Sequence, residues 1–142
     1  MSSYEIIKEA HSGWRWIVLV MSVAAVVNFG IATTTKRNFK PLDNRISLFY
    51  MIAADIQLLL GLILYFFISP VVKSYFDNVA LTLDNEAHFF AIEHPIFMLL
   101  SIICVHLGRA TMKNASNSKK KFNRGFMWFL FSLVLLLAGM PW

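Results

Sequence analysis

Charge is scarce in this chain. Of 142 residues, 15% are Asp, Glu, Lys or Arg, where a soluble domain carries about a quarter. Cysteine occurs once, as Cys104 inside an apolar stretch, which excludes an internal disulfide and leaves packing as its ordinary role. No HExxH, CxxC or CxxCH is present, nor a glycine-rich phosphate loop or a serine nucleophile elbow. Zinc-protease, thiol-redox, c-type haem, nucleotide and serine-hydrolase chemistry therefore lack their usual motifs. Acids are missing altogether from residues 109–124, a segment that holds six Lys and Arg.

What is present is apolar. Hydrophobic residues make up 58% of the chain and the mean hydropathy is +0.61, which points to lipid as the solvent. A net charge of +5 and a pI near 9.6 would suit nucleic acid, but ten of the 13 Lys and Arg fall in 36–45 and 109–124, between apolar runs. That is the pattern of membrane loops, not of a recognition surface for nucleic acid. Seven Met are scattered through the apolar runs and read as packing residues rather than a copper path. The "SNSKKKFNR" stretch reads as a solvated basic loop with a weak attraction to anionic lipid.

Four segments reach the roughly 20 apolar residues that cross a bilayer: about 14–35, 46–72, 87–108 and 125–142. Their length and Leu/Phe content fit helices; barrel strands are about 10 residues long and alternate. The expectation is an all-α membrane protein, one domain over 1–142, with four transmembrane helices in an up-down bundle. The first span lacks a basic flank before it and reads as retained, not as a cleaved leader. Lys36, Arg37, Lys40 and Arg45 mark the first loop and Arg109, Lys113, Lys119, Lys120, Lys121 and Arg124 the third. The second, 73–86, sets Lys73 against Asp77, Asp84 and Glu86. The positive-inside rule then puts both termini outside, in the periplasm of a bacterial inner membrane, with the chain multi-pass. Trp14, Trp16, Tyr75 and Trp142 sit where interfacial anchors belong. The Asn114-Ala-Ser sequon falls on the cytoplasmic side in this scheme and carries no weight.

Ionisable groups inside spans are costly and normally face the bundle interior or a water-filled cavity. Here they are Asp55, Glu93, His94 and His106, with His11, Arg15 and His88 near the outer surface. The first and third spans run the same way in an up-down bundle, so His11 and His94 both fall in the outer half on diagonal helices. Two facing imidazoles suit a six-coordinate b-type haem iron, and Arg15 suits a haem propionate. Depth argues against the pairing. His11 is 25 residues from Lys36, roughly 37 Å, while His94 is 15 residues from Arg109, roughly 22 Å. His88 matches the level of His11 better and is the reserve ligand. Pro95 removes a helical hydrogen bond and frees a carbonyl near Ala91. Glu93 is a candidate to orient a ligand, accepting from an imidazole of another helix or pairing with Arg15. His106, 12 residues past His94 and about 120° round the helix, cannot stack a second ligand below it. It is expected to pair with Asp55 on the second span. Asn28, Gln57 and Ser101 are candidates for hydrogen bonding between helices.

The segments "HSGWRWIVL", "IQLLLGLILYFFISP", "FFAIEHPIFMLLSI", "HLGRA" and "LLAGMPW" together resemble a family of small four-span bacterial membrane proteins often labelled cytochrome b-like. The resemblance covers nearly the whole chain in order. It implies a b-type haem held by helix histidines, with His11 and His94 at the recurrent positions. It also implies a histidine in many relatives where this chain has Asp55, so that a candidate ligand is lost there and His106 is a local substitute. Two functional readings follow. The first is a haem b protein passing electrons between a quinol and a periplasmic acceptor, within a respiratory assembly with other subunits. The alternative is a cofactor-free accessory subunit of a larger inner-membrane complex, its buried polar groups serving as interhelical contacts. A third, weaker reading makes Asp55 and His106 a proton or small-metal conduit. None of these marks a stand-alone enzyme.

Overall fold

A computed structural model describes residues 1–78 and 85–142. Among them no strand occurs, and four helices are long and apolar enough to cross a membrane: Ser3–Thr35, Pro41–Ile68, Glu86–Lys113 and Ser118–Gly139. The all-helical, membrane-capable architecture expected from hydropathy is the one adopted. Of the acids assigned to the second loop, Asp84 lies outside the described residues.

Helix ends depart from the apolar limits, and local hydrogen bonds say why. Helix α1 spans Ser3–Thr35 and begins eleven residues before Trp14. Ser2 and Glu5 form a capping box, the Ser2 hydroxyl accepting from the Glu5 N–H at 3.2 Å and the Glu5 carboxylate accepting from the Ser2 N–H at 2.7 Å. Lys36 ends it in the left-handed region, at φ 53°. Helix α2, Pro41–Ile63, opens with proline in its first turn and widens into a π-helical turn, Leu64–Ile68. Pro70 stops it there, since the residue before a proline is pushed out of the helical region; Ser69 is extended, and the expected continuation to Val72 becomes a separate short helix α3, Pro70–Asp77. Helix α6 covers Ser118–Gly139, capped by the Asn117 side chain accepting from the Lys120 N–H at 2.9 Å. The lysine run expected in a loop is therefore the first turns of this helix.

The third span is built in pieces. Helix α4, Asn85–His88, passes through a π-helical turn, Phe89–Glu93, into α5, His94–Lys113. The cause is Pro95. With no N–H at 95, the carbonyl of Ala91 loses its helical donor, and the His94 N–H reaches back to Phe89 instead. The freed carbonyl foreseen near Ala91 is taken up by α2, where the Tyr65 hydroxyl donates to it at 2.8 Å.

In the bundle α1 packs on α2 and α6, and α5 packs on α6 and α2, so α1 and α5 occupy opposite corners. Near the Lys/Arg-rich loops, here the basic end, the core is aromatic. The ring centre of Phe29 lies 5.5 Å from that of Phe122 and 5.2 Å from that of Phe129, and Phe129 lies 5.8 Å from Tyr50. All four are fully buried, in the edge-to-face geometry that ring quadrupoles favour. Glycine at 125 makes this possible, because a Cβ there would stand 2.5 Å from the Phe29 ring. Most polar side chains in this half are partnered, the hydroxyl of buried Ser22 being the exception. Arg37 meets buried Asp43 at 2.7 Å, and Asn28 joins both. The carboxylate raises the guanidinium's already high pKa, so the pair stays ionised. Tyr50, Ser132 and Ser101 form a hydroxyl chain with links of 2.7 and 2.8 Å.

Candidate functional site

At the other end, here the histidine end, the four helices part around a cavity of about 640 Å³. One face of α1 supplies Tyr4, Lys8, His11 and Arg15, residues spaced by four, three and four, which is the spacing of one helical stripe. Helix α2 supplies Gln57, Gly61 and Tyr65, each four residues apart. His94 enters from α5, and Met140 and Pro141 close the far side.

His11 and His94 meet across this space, their ring centres 6.1 Å apart and their planes at 78°. The two rings meet despite the depth mismatch expected from the sequence, and Arg109 accounts for part of that mismatch. An arginine in the third loop would mark the membrane boundary, but Arg109 is buried inside the bundle. Its guanidinium donates to the Ser47 hydroxyl at 2.7 Å and to the Asn44 backbone carbonyl at 3.1 Å and side-chain carbonyl at 3.2 Å. Helix α5 runs on past it to Lys113. Counting from Lys113, where α5 ends, adds four residues, about one turn, to the depth of His94 and removes about 6 Å of the difference.

The hydrogen bonding of each imidazole decides what it can do. His94 Nδ1 lies 2.7 Å from the Gly139 carbonyl, and a carbonyl only accepts, so Nδ1 carries the proton. The neutral ring then has its lone pair on Nε2, the arrangement found when a backbone carbonyl orients a metal-binding histidine. His11 is held by backbone and shape. Its own carbonyl accepts from the Gln57 amide at 2.9 Å, and its ring lies against Gly61, where a Cβ would come within 3.1 Å of Cε1. The ring nitrogens are poorly served: Nδ1 is buried without a partner, and Nε2 has only a 3.5 Å contact with the Gln57 amide nitrogen. Gln57 Oε1 and Arg15 Nε are also buried and unpartnered. All three residues line the cavity. Such atoms normally find partners, at a cost of about 1–3 kcal/mol when they do not.

The remaining candidates distribute as follows. Arg15 stacks on Trp16, with its guanidinium carbon 5.1 Å from the ring centre, and donates to the Pro141 carbonyl at 3.4 Å. Glu93 does not reach His11, His94 or Arg15. It is exposed on the outer side, 3.6 Å from His88, because the turn before α5 rotates it off the cavity face. His88, the reserve ligand, accepts or donates to the Tyr75 hydroxyl at 3.0 Å and does not line the cavity. Asp55 and His106 do pair, with His106 Nε2 2.8 Å from the carboxylate, but on the outer surface of the bundle and not inside it. Trp14 does more than anchor, since its indole N–H donates to the Ala53 carbonyl of α2 at 2.9 Å.

Lys8, Gly61 and Tyr65 were not singled out from the sequence. The signal was available in the stripe Lys8–His11–Arg15 and in the four-residue spacing Gln57–Gly61–Tyr65. Among the described residues, no cluster of three or more His, Cys, Asp or Glu side chains converges on one point. Comparison with protein-family models, with curated proteins and with solved structures returns no match for this chain.

Proposed function

We propose that the histidine end holds a b-type haem between His11 and His94 in a multi-pass protein of a bacterial inner membrane, and that the protein takes part in electron transfer. The observation that carries the reading is the pairing of two cavity-facing imidazoles at 6.1 Å in a half of the bundle that also keeps three unpartnered buried polar atoms. Ring centres 6.1 Å apart leave space in which His11 and His94 would hold a metal ion between them. The 640 Å³ cavity lies within the roughly 300–1,000 Å³ of cofactor sites.

A haem bound there supplies one-electron redox chemistry. The protein's part is placement and tuning. The Gly139 carbonyl fixes the His94 tautomer and holds Nε2 free to ligate. Gly61 leaves room for the His11 ring, and Gln57 ties down the backbone beneath it. Lys8 and Arg15 on the same stripe supply cationic partners for propionates at the mouth. The lining contributed by α2 and α5 is largely apolar and would limit water around a bound haem. The ring order of helix contacts supports an up-down bundle, and the basic residues of 36–45 and 113–124 favour the cytoplasm for that end, with both termini periplasmic. A quinol and respiratory-chain subunits are the partners this placement suits.

The test is a reduced-minus-oxidised spectrum and a pyridine haemochrome assay on protein purified from haem-replete cells. The expected result is a low-spin α-band in near-stoichiometric amount, abolished by His11→Ala or His94→Ala and kept by His88→Ala and His106→Ala. Protein free of haem under those conditions overturns the reading and leaves the cofactor-free accessory subunit, in which the T-shaped contact of the two rings is itself the interhelical bond.

A further inference from the structure

The Asp55–His106 pair stands in the wrong solvent for a lipid-facing surface. The two side chains are 43% and 48% exposed, and neither lines the cavity. Asp55 is ten residues from Arg45 along α2, about 15 Å, and His106 is seven residues from Lys113 along α5, about 10 Å. A hydrocarbon core is roughly 30 Å thick, so in a bundle that crosses it Asp55 lies near mid-depth and its partner His106 between that level and the basic end. Ionisable groups at such depth turn almost always toward protein or water. This pair turns away from its own bundle. Its surroundings are apolar: Ile52 and Leu59 flank Asp55 on the same face of α2, and Leu99 and Ile103 precede His106 on the same face of α5. Ala110 continues that face with a small, exposed side chain.

We propose that this α2/α5 face docks against the same face of a second copy of this chain, forming a two-fold dimer in the membrane. Lipid chains cannot donate or accept a hydrogen bond, so they leave the outward lone pairs and N–H unmet. A two-fold contact meets them at once. It turns Asp55 of each copy toward His106 of the other, closing a four-membered ring of two acids and two bases. A face that carries one of each is complementary to itself, whereas an unrelated partner must bring its own acid and base to the same depth. Apolar side chains around a polar centre, with alanine allowing close approach, are the make-up of helix contacts in lipid. The inference rests on the bundle crossing a membrane and is independent of what the cavity binds.

Single-molecule photobleaching of the labelled full chain in liposomes, at protein-to-lipid ratios spanning several decades, reads the oligomeric state directly. Two copies per spot are expected for the wild type, with dimerisation weakened about tenfold or more in Asp55→Leu/His106→Leu. A second measurement survives if that variant fails to fold. In a Cys104→Ser background, Ile103→Cys on the proposed face should cross-link two copies, while Val134→Cys on the outer face of α6 should not. A wild type that stays single at every density overturns the proposal, as does a dimer undiminished in the double variant. So does cross-linking from Val134→Cys and not Ile103→Cys, or from Ile103→Cys to a different protein in the native membrane.

Discussion

The two ends of the bundle are filled by opposite rules. At the basic end Phe29, Tyr50, Phe122 and Phe129 interlock without exposure, and the polar groups among them, Arg37 with Asp43 and Asn28, or Arg109 with Ser47, are bonded to one another. At the histidine end the same four helices enclose 640 Å³, and His11, Arg15 and Gln57 each keep a buried atom unbonded. A four-helix bundle in lipid has no water-driven core to spare, and its cohesion comes from close packing and hydrogen bonds. Concentrating both at one end allows the other to stay open. Stability and site are thereby separated along the helix axis.

The strongest way to break the comparison is to hollow out the packed end. Phe129→Ala removes a ring that touches both Phe29 and Tyr50, and should cost about 3 kcal/mol or more through lost contacts around an unfilled cavity. Thermal unfolding in detergent measures it; a cost under 1 kcal/mol would show that the aromatic cluster does not hold the bundle. The next test makes one substitution at both ends. Gly125→Ala places a methyl 2.5 Å from the Phe29 ring and should cost about 1–3 kcal/mol, because that ring is hemmed in by Phe122 and Phe129. Gly61→Ala places a methyl 3.1 Å from His11, whose ring borders the cavity and can give way, so stability should change by under about 1 kcal/mol. The readout that should move instead is the haem spectrum, since the displaced ring is one that would hold the haem. Equal costs at the two glycines would erase the distinction between the ends.

Much of this was legible in the sequence where one residue type decides the outcome. Hydropathy marked four helices, and Pro95 announced the freed carbonyl at Ala91, though not that Tyr65 would take it. Helix limits were harder, because Ser2–Glu5 and Asn117 cap polar turns that hydropathy ignores. The pairing of His11 with His94 was visible as chemistry and hidden as geometry. Arg109 served as a ruler on the assumption that arginine marks a boundary, and its bonds to Asn44 and Ser47 put it inside. Asp55 and His106 were readable as partners because both needed one. Which way they face depends on helix rotation, which is set by packing elsewhere, chiefly around Phe29 and Phe129.

A smaller effect isolates the joint between the ends. Tyr65→Phe deletes the hydroxyl that donates to the Ala91 carbonyl at 2.8 Å and leaves that carbonyl without its donor beside Pro95. A loss of about 1 kcal/mol is expected. Hydrogen exchange should rise in the Phe89–Glu93 turn and not in α6, placing the change at the histidine end alone. Protection lost throughout the bundle would mean that the two ends unfold as one unit.

The smallest expected effect is the most telling. Gln57→Leu removes a buried amide whose oxygen has no partner and whose nitrogen bonds the His11 backbone carbonyl at 2.9 Å. Deleting a bond costs about 1 kcal/mol, and removing an unsatisfied buried oxygen returns a similar amount, so the net change in stability should fall within about 0.5 kcal/mol of zero. Binding should not be neutral. Leucine gives the His11 ring no polar neighbour on that side, so a haem-loaded protein is expected to show a shifted reduction potential at almost unchanged melting temperature. A variant that loses 2 kcal/mol would mean that Gln57 is part of the scaffold, and that the histidine end is held together by the very groups that line it.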